Sequence, residues 1–415
     1  MATTCIYTLE PIQHGGVMAK VREVAALQTR FGHAVQLLYT ATNQVPTANR
    51  WDKLRYFMRT PPRWEMNCGF RGFAVPDWPM PFWASYAVPT LVGLPAIHNS
   101  HIHVVVSGSN HCGLPAALLN KKYIVWIGTL YEEELIGRAA AGDTWAKRIL
   151  TGPAHSILAR EEKLIFDRAA LILTNGAHTA GAVKREHPST ASRVRVLIYP
   201  VDADTFKPDP APRSIDREPY LLFTARINDP RKNVGLLFRA FARVRTQFPQ
   251  LRLVLTGDPP EANVLRSLAD ARVADAVTFA GYQSRESLIK LYQGAELFVL
   301  PSSQEGLGIS MLEALACGLP VVSTRCGGPE SVIVDGLTGR LTPNGDEIAL
   351  ADAILDLLDH PDQLNVMRVQ SAAYARDNFS RRVVESRLLD AFQFVYPEYF
   401  VSPFSPAMQG ERGQG

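Results

Sequence analysis

Residues 296–339 read ELFVLPSSQEGLGISMLEALACGLPVVSTRCGGPESVIVDGLTG. The apolar run Leu297 to Pro301 is short enough for a strand covered on both faces. A glycine-containing loop follows, then helical periodicity from about Leu307 and a second apolar run, Pro320 to Ser323. Strand, loop, helix, strand is the βαβ unit of a parallel sheet. Its helix aims unpaired first-turn N–H groups and a positive dipole end at the carboxyl edge of the sheet, where α/β folds hold ligands. A diphosphate suits that place.

Two carboxylates frame it. Glu305 lies in the loop and Glu313 eight positions later, about two helical turns on, so they occupy different levels of one site. They can accept hydrogen bonds from hydroxyls on two rings, as a transferred sugar and a ribose would supply. On spacing alone, a capping Glu305 and an ordinary helix-surface Glu313 remain open. Upstream, FTARINDPRKN (223–233) sets Arg226 at the end of an apolar run and Lys232 in the turn before a helical stretch. Both cations then face one crevice and can stabilise the charge of a departing diphosphate; the plainer alternative makes Arg231 and Lys232 exposed turn residues.

In the first half, PIQHGGV (11–17) follows a strand and precedes the helical VMAKVREVAALQTRFG. Gly15 and Gly16 allow close backbone approach to a phosphate or sugar. No GxGxxG follows a strand and no GxxxxGK[ST] occurs, which disfavours nicotinamide dehydrogenases and P-loop enzymes.

Outward from these motifs, apolar runs alternate with helical stretches throughout. The expected strands are Cys5 to Leu9, Ala34 to Thr40, His103 to Ser107, Tyr123 to Ile127 and Leu171 to Thr174 in the first half. In the second they are Tyr220 to Ala225, Leu251 to Thr256, Val277 to Ala280, Leu297 to Pro301 and Pro320 to Ser323. With 415 residues the chain exceeds one core. The Pro-dense segment Ile198 to Pro219 separates two domains, 1–204 and 205–385, and 386–415 holds the end of a final helix, about Arg381 to Tyr396, and a tail. Residues 51–86 form an insertion where Trp51, Tyr56, Phe57, Trp64, Trp78, Phe82, Trp83 and Tyr86 stand among arginines and lysines. Local packing under basic stems is the plain reading; an acceptor wall or a peripheral contact with an anionic membrane is the sharper one.

A formal charge of +3 gives no reason to expect nucleic acid. Five cysteines without CxxC spacing fit free thiols, with cytoplasm as the expected compartment. The N-terminus reads as a strand and not a signal peptide, and no apolar run approaches membrane-spanning length.

Together these residues resemble the retaining GT-B glycosyltransferases of family 4, also called glycosyl transferases group 1. The resemblance covers most of the chain: Gly15-Gly16, Gly32-His33, the linker YPVDADTFKP, Arg226 with Lys232, and EGLGISMLEALACGLPVV followed by GGPESV. It implies two facing Rossmann-like domains with parallel sheets, a C-terminal helix crossing back to the first, and an acceptor-binding first domain. It also implies a UDP- or GDP-linked hexose donor and an acceptor that is a sugar, a lipid-linked sugar or a small molecule. Arg226 and Lys232 would contact the diphosphate, Glu305 the donor sugar, and Leu307, Gly308 and Ile309 the sugar and phosphate through backbone. Glu313 would take the ribose and Gly16 approach from the first domain, with retention of configuration, no metal and no other cofactor. Two departures stand out. The His-Gly-Thr-like acceptor turn of many relatives reads Ile127-Gly128-Thr129 here, leaving His111 as the candidate imidazole, and Arg226 to Lys232 is one residue longer, leaving Arg231 as an alternative phosphate ligand. A GT-B epimerase or phosphorylase, and a non-catalytic nucleotide-sugar-binding protein, are the competing readings.

Overall fold

The computed structural model describes residues 1–9, 11, 16–41, 61–76, 86–210 and 218–400. Strands β1 (Thr3–Leu9), β2 (Ala34–Ala41), β3 (Arg63–Asn67), β4 (Phe70–Pro76), β5 (Ile102–Val106), β6 (Ile124–Ile127), β7 (Leu171–Thr174) and β8 (Val194–Val196) form one sheet in the order β3-β4-β2-β1-β5-β6-β7-β8. Every residue of β5, β6 and β7 is buried, as expected of strands covered on both faces that are apolar at all but His103 and Thr174. Ile6 of β1 sits between Leu37 of β2 and Val104 of β5 in parallel register. The second sheet runs β11-β10-β9-β12-β13-β14, all parallel, from β9 (Tyr220–Thr224), β10 (Arg252–Thr256), β11 (Val277–Gly281), β12 (Leu297–Leu300), β13 (Val321–Thr324) and β14 (Gly339–Thr342).

All ten expected strands are present. β3, β4, β8 and β14 were not expected: β8 and β14 are short and partly polar, and β3 and β4 lie in the insertion. β3 pairs antiparallel with β4, so the first sheet is not wholly parallel. On that hairpin Arg71 lies over the Trp64 ring at 4.3 Å and Phe73 meets Trp64 edge-on, the covering of an aromatic by a basic stem. Trp51, Tyr56, Phe57, Trp78, Phe82 and Trp83 lie outside the described residues.

In each sheet the winding reverses at one strand. β1 is flanked by β2 and β5, and β9 by β10 and β12, so the crevices at these switch points open beyond the carboxyl ends of β1/β5 and β9/β12. Helix α1 (Gly16–Arg30) enters from the first crevice. Helices α2 (Tyr131–Ala140) and α3 (Pro153–Arg168) belong to the first domain, α4 (Val234–Arg245) and α5 (Ile309–Ala316) to the second.

Core membership changes from the first domain to the second between Leu197 and Ile198, ahead of residue 205, because Ile198, Val201 and Phe206 pack into the second core. The chain returns after α6 (Pro361–Phe379). On α7 (Arg381–Val395), Val384, Leu388, Ala391, Phe392 and Val395 join the first-domain core beside Val21, Val24 and Leu27. Ion pairs Arg381–Glu23 (3.2 Å) and Arg30–Glu385 (2.8 Å) flank that seam. The Tyr396 hydroxyl accepts from the His103 N–H at 3.1 Å and donates to the Lys122 carbonyl. In the Asp202-Ala203-Asp204 triplet, Asp202 holds the Thr205 hydroxyl at 2.9 Å and Arg285 at 2.6 Å, a turn and an ion pair.

All five cysteines are free. Among the described residues no helix is long and apolar enough to cross a membrane.

Candidate active site

A cavity of about 580 Å³ opens where the two carboxyl edges face each other, lined from both domains. Its second-domain wall starts from the loop after β12. Ser302 Oγ donates to Glu305 Oε1 at 2.9 Å, and the Ser303 N–H to the Arg231 carbonyl at 2.8 Å. The Glu305 N–H donates to the Cys326 carbonyl (3.0 Å), while its own carbonyl accepts from the Gly328 N–H (2.8 Å). Gly328 is glycine for a steric reason: a Cβ there would lie 2.5 Å from Leu307 Cα. The loop carrying Glu305 is thus clamped by the 326–328 loop.

Gly308, at φ 81°, turns the chain into α5, so the helix starts at Ile309 and not at Leu307. No side chain caps it and its first turn has no acid, so its leading N–H groups face a cavity lined by Leu307, Gly308, Ile309 and Ser310. Lys232 follows the short turn after β9 and reaches across to Glu305, Nζ to Oε1 2.5 Å. Arg226 lines the same cavity with its side chain 70% exposed and one contact to Asp229 at 3.2 Å. Arg231 lines it too, but a forked pair of hydrogen bonds to Asp229 (3.0 and 2.8 Å) holds its guanidinium.

Glu313 takes a different position from Glu305. It lines an adjoining cavity with Arg285, sharing Tyr199 and Ile309 with the first. Tyr292 donates to Glu313 Oε2 at 2.9 Å and itself accepts from Thr224 at 2.9 Å. Burial pushes the Glu313 carboxyl up to about 7, against the lowering effect of the Tyr292 hydrogen bond.

From the first domain, Gly16 opens α1 against the second domain: a Cβ on it would lie 2.9 Å from Ile309 Cδ1. Gly15 lies outside the described residues. Ser107 and Gly108 after β5, Gly128 and Thr129 after β6, and Asn175 after β7 complete the wall with Lys20 and Glu134. The side chain of Ile127 is buried in the core, so that turn presents Gly128 and Thr129. His111 is not on this wall. It is fully buried, stacked on Tyr86 at 5.1 Å, with its nitrogens in contact with the Leu158 carbonyl (2.9 Å) and Ser109 hydroxyl (3.3 Å). Burial drives its imidazole down to about 4, a packed neutral ring and not an acceptor-side base.

Sequence reading missed Lys20, Asn175 and Glu134. Lys20 left a signal: it stands four residues after Gly16 among the buried positions Met18, Val21 and Val24 of α1, a lysine on an apolar face. Asn175 and Glu134 left none, since only the β6–β7 edge and the approach of α2 to the second domain bring them to the cleft. That approach is direct: Gln304 Nε2 donates to the Glu133 carbonyl at 2.8 Å, and Arg231 lies 4.0 Å from Glu134.

Two facing parallel-stranded domains, a cleft between their carboxyl edges and a returning C-terminal helix define the GT-B architecture. Residues 206–376 match the family described as glycosyl transferases group 1. A GDP-mannose-dependent alpha-(1-6)-phosphatidylinositol monomannoside mannosyltransferase of Mycolicibacterium smegmatis is 35% identical over 205 residues, 46% of this chain and 53% of that protein. A D-inositol 3-phosphate glycosyltransferase of the same organism is 33% identical over 232 residues, 53% of this chain and 50% of that one. The chain spans about half the length of these curated relatives. Among solved structures, sucrose-phosphate synthase from Thermosynechococcus elongatus superposes with a TM-score of 0.73 at 19% identity, covering 95% of this chain and all of that one. Anabaena HepE in complex with UDP gives 0.70 at 16% identity and the same coverage.

Proposed function

We propose that this protein is a retaining, metal-independent hexosyltransferase that transfers a sugar from a UDP- or GDP-linked donor to an acceptor hydroxyl. The observation that carries this reading is the meeting in one cleft of the uncapped N-terminus of α5 with Arg226, Lys232 and Glu305. Relatives named as glycosyltransferases support it, one of them GDP-mannose-dependent, as does a UDP-bound structural neighbour.

In this reading the diphosphate lies against the α5 N-terminus and the two cations, and Glu305 accepts hydrogen bonds from donor-sugar hydroxyls. Glu313, in the adjoining cavity, takes the ribose. The acceptor oxygen bonds to the anomeric carbon as the bond to the phosphate oxygen breaks, on the same face, and the hydroxyl proton passes to the departing phosphate. Arg226 and Lys232 stabilise the charge that develops there. No protein nucleophile takes part.

A thermal-shift panel of UDP, GDP and ADP, followed by the matching sugars, tests the donor half: at least one nucleotide raises the melting point. Donor turnover should fall by about 10²- to 10³-fold in Lys232→Ala and Glu305→Ala. A chain that no nucleotide stabilises, or variants that turn over donor like the wild type, would end this reading.

A further inference from the structure

Two polar side chains on the first-domain wall are buried without adequate partners, and the donor chemistry above uses neither. Lys20 is 4% exposed. Its ammonium has three donors, yet it meets one carbonyl, that of Trp126 at 3.5 Å, and the Trp126 ring at 5.5 Å. Asn175 is 8% exposed and its Oδ1 is buried with no hydrogen-bond partner. Both line the cavity that holds Arg226, Lys232 and Glu305, from the opposite side.

Buried polar groups left unpaired destabilise the fold that holds them. Burial alone also pushes the Lys20 amine down to about 7. A fold keeps such groups beside a cavity where a ligand completes them.

The two groups ask for different things. Lys20 offers N–H and needs an acceptor, whereas Asn175 Oδ1 needs a donor. Lys20 approaches the carbonyl of Trp126 in β6, and Asn175 follows β7, its parallel neighbour. Neighbouring strands lie about 5 Å apart. That suits two hydroxyls of one ring or polyol better than two contacts to a single atom. An anion would answer Lys20 but leave the Asn175 oxygen facing another oxygen.

We propose that Lys20 and Asn175 bind the acceptor as a neutral polyhydroxylated molecule, one hydroxyl accepting from Lys20 and a second donating to Asn175. The proposal rests on the transferase reading and names the acceptor class for it. Both are positioning residues that set the acceptor against the donor's anomeric carbon.

The test uses the full chain with the donor found by thermal shift. Neutral compounds (myo-inositol, glucose, fructose, mannose) and their monophosphates are compared for acceleration of donor turnover above hydrolysis. A neutral compound should accelerate turnover more than its phosphate does. Lys20→Met and Asn175→Ala should each raise the acceptor KM by about tenfold, the worth of one well-placed hydrogen bond. Asn175→Asp, which keeps an acceptor oxygen, should lose less than Asn175→Ala, and the nucleotide-induced thermal shift should persist in all three. Lys20→Met removes a buried charge, so its melting point should not fall. Acceleration by phosphorylated compounds only, by no neutral compound, or an unchanged acceptor KM in both variants overturns the proposal. A nucleotide shift abolished by Lys20→Met would move that residue to the donor and also overturn it, whereas a wild type that binds no nucleotide refutes the transferase reading itself.

Discussion

The Lys232–Glu305 pair joins the turn after β9 to the loop after β12, so each side chain fixes the other while both line the cleft between the domains. Removing either leaves a largely buried charge without its partner. Glu313 is the residue where stability and ligand binding should separate. Its carboxyl is raised from 4.5 to about 7, so the folded protein holds a proton that the unfolded chain releases. The stability this contributes is present below about pH 4.5 and is lost as pH rises to about 7. Glu313→Gln, which resembles the protonated acid, should be more stable than wild type at pH 8 by on the order of 3 kcal/mol. The gap should close near pH 5, where both forms are neutral. Denaturant titrations at the two pH values read this directly, and an equal gap at both would show that the carboxyl does not titrate as described. The same variant should weaken nucleotide binding, since an amide is a poorer acceptor for ribose hydroxyls.

At the scale of elements, the proposed donor site is two loops clasped together. The 302–308 loop carries Glu305 and leads into α5, and the 326–328 loop holds it through two backbone hydrogen bonds. At Gly328 the two backbones are too close for any Cβ, which would approach Leu307 N, Cα and C at 2.5 to 2.8 Å. Gly328→Ala must therefore displace main chain and not a flexible side chain. It should destabilise the second domain by about 2 kcal/mol and cost most donor turnover. A melting point and turnover equal to wild type would mean that the loops are not in contact in solution. Gly16 makes a milder contrast, because its would-be Cβ meets only the mobile end of Ile309, at 2.9 Å.

For the whole molecule, α7 ties the last part of the chain to the first core. Phe392 is fully buried there, and Tyr396 bonds to the edges of β5 and β6. Phe392→Ala should cost about 3–5 kcal/mol, with the cavity left under the first sheet. The loss should fall unevenly. Hydrogen exchange should speed up in β1, β2 and β5 while β9, β10 and β12 keep their protection, because Phe392 belongs to the first core alone. Uniform loss across both sheets would show that the two cores unfold as one unit.

The family resemblance implied the return of the last helix, while the sequence by itself determined the two-sheet architecture, ten of the strands and the placing of Arg226, Lys232 and Glu305 at strand ends and turns. Buried parallel strands must be continuously apolar, and helix starts and turns carry fixed residue preferences, so these features are local and leave marks in order along the chain. The marginal strands β8 and β14 and the antiparallel hairpin left no such mark, since short or partly polar strands form only because a neighbour is there to pair with. Tertiary structure alone decided that Glu313 lines a second cavity, that His111 is packed away, and that Asn175 and Glu134 reach the cleft. These depend on which strand ends lie side by side and how closely the two domains approach, which no local pattern records.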